Sequence, residues 1–117
     1  IVPIHTNGEN MTTRFSKGRE GFEGRTEIEL GVERRVLVIH THKTTGGVVT
    51  SHTVMKKDDH GYMSYILFQD FTKRVTHKGA RCTEKNVKDL HQLALDVSDL
   101  TMSEAAAFYA KKEAVAA

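Results

Sequence analysis

RRVLVIHTHKTTGGVVTSHTVMKK, the run from Arg34 to Lys57, decides the fold. Val36, Leu37, Val38 and Ile39 are the residue types that favour a strand, and they place apolar side chains on both of its faces. Thr45-Gly46-Gly47 is a hairpin signal, because adjacent glycines accept the positive φ that tight hairpin turns require. Val48 to Lys57 then returns as the next strand. Upstream, Arg25 to Leu30 alternates, with Thr26, Ile28 and Leu30 on one face and Arg25, Glu27 and Glu29 on the other. That is the pattern of a half-buried strand, and Gly31-Val32-Glu33 turns it into Arg34. Downstream, Asp58-Asp59-His60-Gly61 suits a type I turn closed by a left-handed glycine. A fourth strand starts at Tyr62 and carries Tyr65, Ile66, Leu67, Phe68 and Phe71. Its aromatics recur every three residues, so a bulge near Gln69-Asp70 is needed to restore one face, after which Thr72 to Thr76 continues extended. His77-Lys78-Gly79 turns the chain into a short last strand at Ala80-Arg81-Cys82.

The chain then becomes helical. Thr83 is the expected N-cap, with Glu84 at the positive end of the dipole. Val87, Leu90, Ala94 and Val97 recur at helical spacing with Leu93 beside them. Ser98-Asp99-Leu100 interrupts, and Thr101-Met102-Ser103-Glu104 reads as a capping box for an alanine-rich second helix with Phe108 and Tyr109 as its large anchors. The expected fold class is α+β: an antiparallel four- to five-stranded β-meander followed by one or two C-terminal helices. The sheet spans about 25–82 and the helices about 84–97 and 102–115, forming a single domain over 25–117. Residues 1–24 are read as a leader up to Asn10, with Met11 as the expected native start, followed by a flexible arm in which Gly18, Gly21 and Gly24 recur. Phe15 and Phe22 are expected to tack that arm onto the body.

A chain of 117 residues, 38% hydrophobic and 27% charged, supports one compact domain and excludes collagen-like, disulfide-scaffold and fully disordered classes. It contains no apolar run near the roughly 20 residues of a membrane-spanning helix, so no membrane partner is expected. The single cysteine, Cys82, cannot close an intrachain disulfide, which fits a cytoplasmic protein, and it excludes a zinc site built from several thiolates. Net charge is +2, but its distribution is uneven: between Arg34 and Lys88 eleven Lys/Arg face four Asp/Glu, giving +7 there and −5 elsewhere. A segregated basic segment attracts polyanions if the segregation persists in space.

Single-strand-binding sheets combine cations that neutralise phosphates with aromatic faces that stack on bases. Arg34, Arg35, Lys56, Lys57, Lys73 and Arg74 are the candidate phosphate contacts here, and Tyr62 or Tyr65 the candidate stacking platform. His40 and His42, two apart on one strand, share a face, and a three-residue hairpin loop places His52 opposite His40. Those three imidazoles are the candidate metal ligands, against a polar cross-strand cluster; a slip of one residue would move His52 to the other face. Cys82 next to a helix start is a weak nucleophile candidate beside its reading as a core thiol. Gly46-Gly47 is followed neither by Lys-Ser/Thr nor by a helix, so it carries no phosphate-loop fingerprint. No enzymatic activity and no cofactor are expected.

His77-Lys78-Gly79-Ala80-Arg81-Cys82-Thr83-Glu84, followed by Val87 and Leu90, resembles the final strand and helix of the PC4-type single-stranded-DNA-binding fold. The PUR-type repeat is similar in its meander-then-helix order. The resemblance covers about residues 25–97 and implies a homodimer presenting curved, basic, aromatic sheets to single strands. The leading expectation is therefore a small binding protein for single-stranded nucleic acid. The alternative is a protein-interaction or assembly module, most simply a homodimer and possibly encoded by a phage or mobile element, suggested by apolar residues on both strand faces and a poorly anchored last helix.

Overall fold

The computed structural model describes residues 11–31, 34–57, 60, 63–65 and 72–116. In chain order they form β1 (Met11–Gly18), β2 (Gly21–Glu29), β3 (Arg35–Thr44), β4 (Gly47–Lys57), β5 (Met63–Tyr65), β6 (Thr72–Lys78), α1 (Glu84–Asp96) and α2 (Ser98–Ala116). β1 to β4 are successive antiparallel neighbours, and β5 and β6 share the far edge of β4. The result is a five-stranded antiparallel meander followed by two helices. The fifth position is split because Met55 pairs with Tyr65 whereas Thr53 pairs with Thr72. The bulge expected near Gln69-Asp70 lies outside the described residues.

The glycine-rich stretch is not an arm. Residues 11–24 form β1 and the start of β2, paired from Met11–Ile28 to Gly18–Gly21. Phe15 stacks on Phe22 with ring centroids 6.1 Å apart and meets the His91 ring edge-on at 5.5 Å. Gly24 is required by that packing: a Cβ there would lie 2.7 Å from the Phe15 ring and 3.3 Å from the His91 ring. Alternation marked β2 only from Arg25 onward because Gly24 leaves the preceding turn of the pattern blank.

β3 and β4 are joined by a two-residue loop, Thr45-Gly46, not a three-residue one, with Gly46 at φ +88°. This register puts Leu37, Ile39 and Thr41 beside Val54, His52 and Thr50 on the face that the helices cover. Ile28, Leu37, Ile39 and Val54 meet Ala94, Ala105 and Tyr109 there as the main core. Val36, Val38 and Met55 are buried on the opposite face, so β3 is apolar on both sides, as its composition demanded.

After β6 the chain runs irregularly through 79–83, so no strand forms at Ala80-Arg81-Cys82 and β6 is the last strand before the helices. The Cys82 thiol, half-buried, donates to the Phe22 carbonyl at 3.3 Å. Thr83 caps α1, its hydroxyl accepting from the Asn86 amide at 3.1 Å. α2 starts at Ser98, with only Val97 between the helices. Thr101 is thus inside the helix, donating back to the Val97 carbonyl at 3.4 Å, and is not the head of a capping box.

Candidate functional site

The basic residues singled out in the sequence do not converge. Arg34 is exposed in the turn before β3 at φ +60°. Arg35 is drawn onto α2: its guanidinium lies 4.3 Å from the centre of the buried Tyr109 ring, and Nη1 donates to the phenol oxygen at 3.3 Å. Register puts Lys56 on the same sheet face as Arg35 and places Lys57 on the other. Lys57 reaches Glu29 at 4.0 Å, and Lys73 binds Glu104 of α2 at 2.9 Å. Only Arg74, with Lys78 further along β6, stands exposed on the helix-free face. The basic segment of the sequence is thus interleaved in space with acidic residues from β2 and α2. Tyr62 lies outside the described residues, and Tyr65 belongs to β5 opposite Met55. Phe15 and Phe22 lie on the helix-covered face, so they do not face an open sheet.

The three candidate metal ligands are divided by the sheet. His40 and His42 stack on the helix-free face, ring centroids 4.3 Å apart, and His40 Nε2 donates to Glu23 at 3.1 Å. Burial, ahead of the raising effect of Glu23, keeps the His40 pKa below its ordinary value. His52 pairs with Ile39 and sits on the helix side, the outcome of the two-residue loop. Among the described residues no group of His, Cys, Asp and Glu side chains is placed to hold a metal ion.

Histidine chemistry appears instead at His91 of α1, which sequence reading passed over. Its Nε2 bonds Thr26 Oγ1 at 2.7 Å and its Nδ1 bonds Thr41 Oγ1 at 2.8 Å. Thr26 continues to Thr13 at 2.8 Å and Thr41 to Thr50 at 2.9 Å. A buried hydroxyl–imidazole–hydroxyl chain therefore ties α1 to four strands. A neutral imidazole, one nitrogen donating and one accepting, fits two hydroxyls that can each do either. Burial, then the neighbouring His40 and His52, push the His91 pKa down to about 4. The signal in the sequence was its place at helical spacing between Val87 and Ala94, the two apolar residues of α1 that are buried with it. This chain is structural: it fixes how α1 lies on the sheet.

What that orientation leaves open is a groove between α1 and β6. It has a volume of about 330 Å³ and is lined by Thr50, His52, Val75, His77, Leu90 and Leu93, with Ala94 and Val97 at its α1 wall. The apolar stripe read along α1 is real, but it is divided: Val87 faces the sheet, Ala94 borders both sheet and groove, and Leu90, Leu93 and Val97 line the groove. His52 is buried at this site with both ring nitrogens lacking a hydrogen-bond partner, and burial followed by Lys73 lowers its pKa. An unsatisfied buried polar group costs about 1–3 kcal/mol, so the groove carries a local penalty at His52; Ser98 Oγ, at the start of α2, is likewise buried without a partner.

Fold and groove together define an α+β module with an edge strand and an adjoining apolar cleft. Compared with known proteins, the chain matches no family model, no curated protein and no solved structure. No helix among the described residues is long and apolar enough to cross a membrane.

Proposed function

We propose that the protein is a non-enzymatic interaction module that docks a partner chain in the groove between β6 and α1. The observation that carries this reading is the apolar lip of the groove: Val75, Leu93 and Val97 are 46%, 55% and 47% exposed. Large aliphatic side chains gain roughly 1.5–3 kcal/mol each on full burial, so such a lip favours a covering partner over water. Leu, Val and Ala offer packing to a protein chain but no stacking platform to bases. A lone cysteine fits work in a reducing compartment such as the cytoplasm.

Selection of peptides from a random displayed library on the full chain tests this reading. Enriched peptides are expected to lose at least tenfold in affinity for the Leu93→Glu/Val97→Glu variant. Failure to enrich any peptide, or equal binding to the variant, would contradict it.

A second reading, binding of single-stranded nucleic acid, is favoured by one feature: β6 presents Arg74 and Lys78 together on the helix-free face. It ranks below the first because Glu23, Glu27 and Glu29 occupy β2 on that same face and because the other candidate phosphate contacts are dispersed. Oligonucleotide binding that weakens steeply with salt and is lost on reversing Arg74 and Lys78 would favour it.

A further inference from the structure

We infer that the groove's occupant is an extended segment of a partner protein, alternating apolar and acidic residues, which adds to β6 as a new edge strand. This rests on the interaction-module reading and names its partner. β6 pairs with β4 through one edge, and among the described strands none pairs with its other edge. An added strand would continue the sheet through main-chain hydrogen bonds and send alternate side chains to its two faces.

The register of β6 dictates what those side chains must be. Val75, partnered with Thr50, lies on the helix side, where the groove and the exposed Leu93 and Val97 adjoin it. Residues of the new strand on that side must be apolar. Arg74 and Lys78 lie on the other side, exposed and with Thr76 between them. Residues there meet two cations, so acidic side chains fit. Lys73 is already engaged by Glu104 and adds nothing.

Charge also selects against a second copy of this chain. Pairing β6 with β6 would bring Arg74 and Lys78 of both copies onto one face, the device by which proteins discourage edge-to-edge association. The same cations attract an acidic strand. β1, the other sheet edge, lacks the apolar cleft: its helix-side residue Phe15 is packed on Phe22 and His91, and the Lys88 ammonium lies 5.6 Å from its ring centre.

Three labelled peptides titrated against the full chain test the proposal: alternating valine and aspartate, the same composition as an apolar block followed by an acidic block, and alternating valine and lysine. The alternating acidic peptide is expected to bind at least tenfold more tightly than either control. It should lose at least tenfold on Arg74→Glu/Lys78→Glu, and the alternating basic peptide should gain on that variant. Methylating alternate peptide nitrogens should abolish binding, a loss that side-chain docking alone would not show. Equal binding of block and alternating peptides overturns the proposal, as does indifference to the charge reversal. Library ligands that fold as helices in the groove would leave the interaction-module reading standing while removing this one. Self-association abolished by Leu93→Glu would assign the groove to a second copy and also overturn it. Binding of an oligonucleotide in competition with the alternating peptide, with no effect of Leu93→Glu on either, would overturn both readings.

Discussion

His91→Ala is expected to cost about 3–5 kcal/mol of folding stability. The change empties a fully buried site and removes the hydrogen bonds from His91 to Thr26 and Thr41. His91→Leu, which fills most of the volume, should still cost about 2–3 kcal/mol, because both hydroxyls lose their imidazole partner. The revealing comparison is Thr26→Val/Thr41→Val/His91→Leu. Removing all three polar groups exchanges a satisfied buried chain for an apolar one, so the triple variant should be more stable than His91→Leu alone. Urea denaturation of the four proteins gives the comparison. Equal stability of His91→Leu and the parent would mean that the chain does not hold α1 on the sheet.

Acid is expected to unfold the protein well before its carboxylates alone would require it. The sign follows from His91. In the unfolded chain its imidazole takes up a proton as pH falls through about 6.5, whereas in the folded protein burial delays protonation to about 4. Over that interval the unfolded state binds more protons, so stability falls with falling pH, by about 3 kcal/mol across the window from this group. His52 and His40, whose pKa values are also lowered, act in the same direction. The contribution is fully present above pH 6.5 and is spent near pH 4. In Thr26→Val/Thr41→Val/His91→Leu that share disappears, so its stability profile between pH 7 and pH 4 should be flatter than the parent's. Parallel profiles for the two proteins would contradict the assignment.

Much of the architecture was legible in the residues. The aliphatic run of β3, the glycine turn after it and the Thr83 cap were each local signals, and local signals sufficed to place strands and helices. What escaped them depends on register and rotation. One residue of loop length decides whether His52 faces His40 or the helices, and Thr45-Gly46-Gly47 is compatible with either. The edge of α1 that faces the sheet is set by His91 and the hydroxyls of Thr26 and Thr41, residues whose polarity argues against a core until their mutual hydrogen bonds are seen. Once His91 turns inward, Leu93 and Val97 must turn outward, and the groove appears. Likewise the basic segment dissolved because its partners, Glu29 and Glu104, come from outside it in sequence but lie beside it in space. β1 was lost to sequence reading for a similar reason: its side chains are mostly exposed, and its pairing with β2 supplies what periodicity does not show.

We propose that the working surface of this protein is the β6–α1 groove and not the helix-free face of the sheet. Amide NMR of the isotopically labelled chain, titrated with the alternating valine–aspartate peptide, tests it most directly. Shift changes are expected to concentrate in residues 72–78 and 90–97, together with slowed amide exchange along β6. Changes spread instead over Arg14, Arg25, His40 and His42 on the helix-free face, with β6 and α1 unmoved, would contradict it.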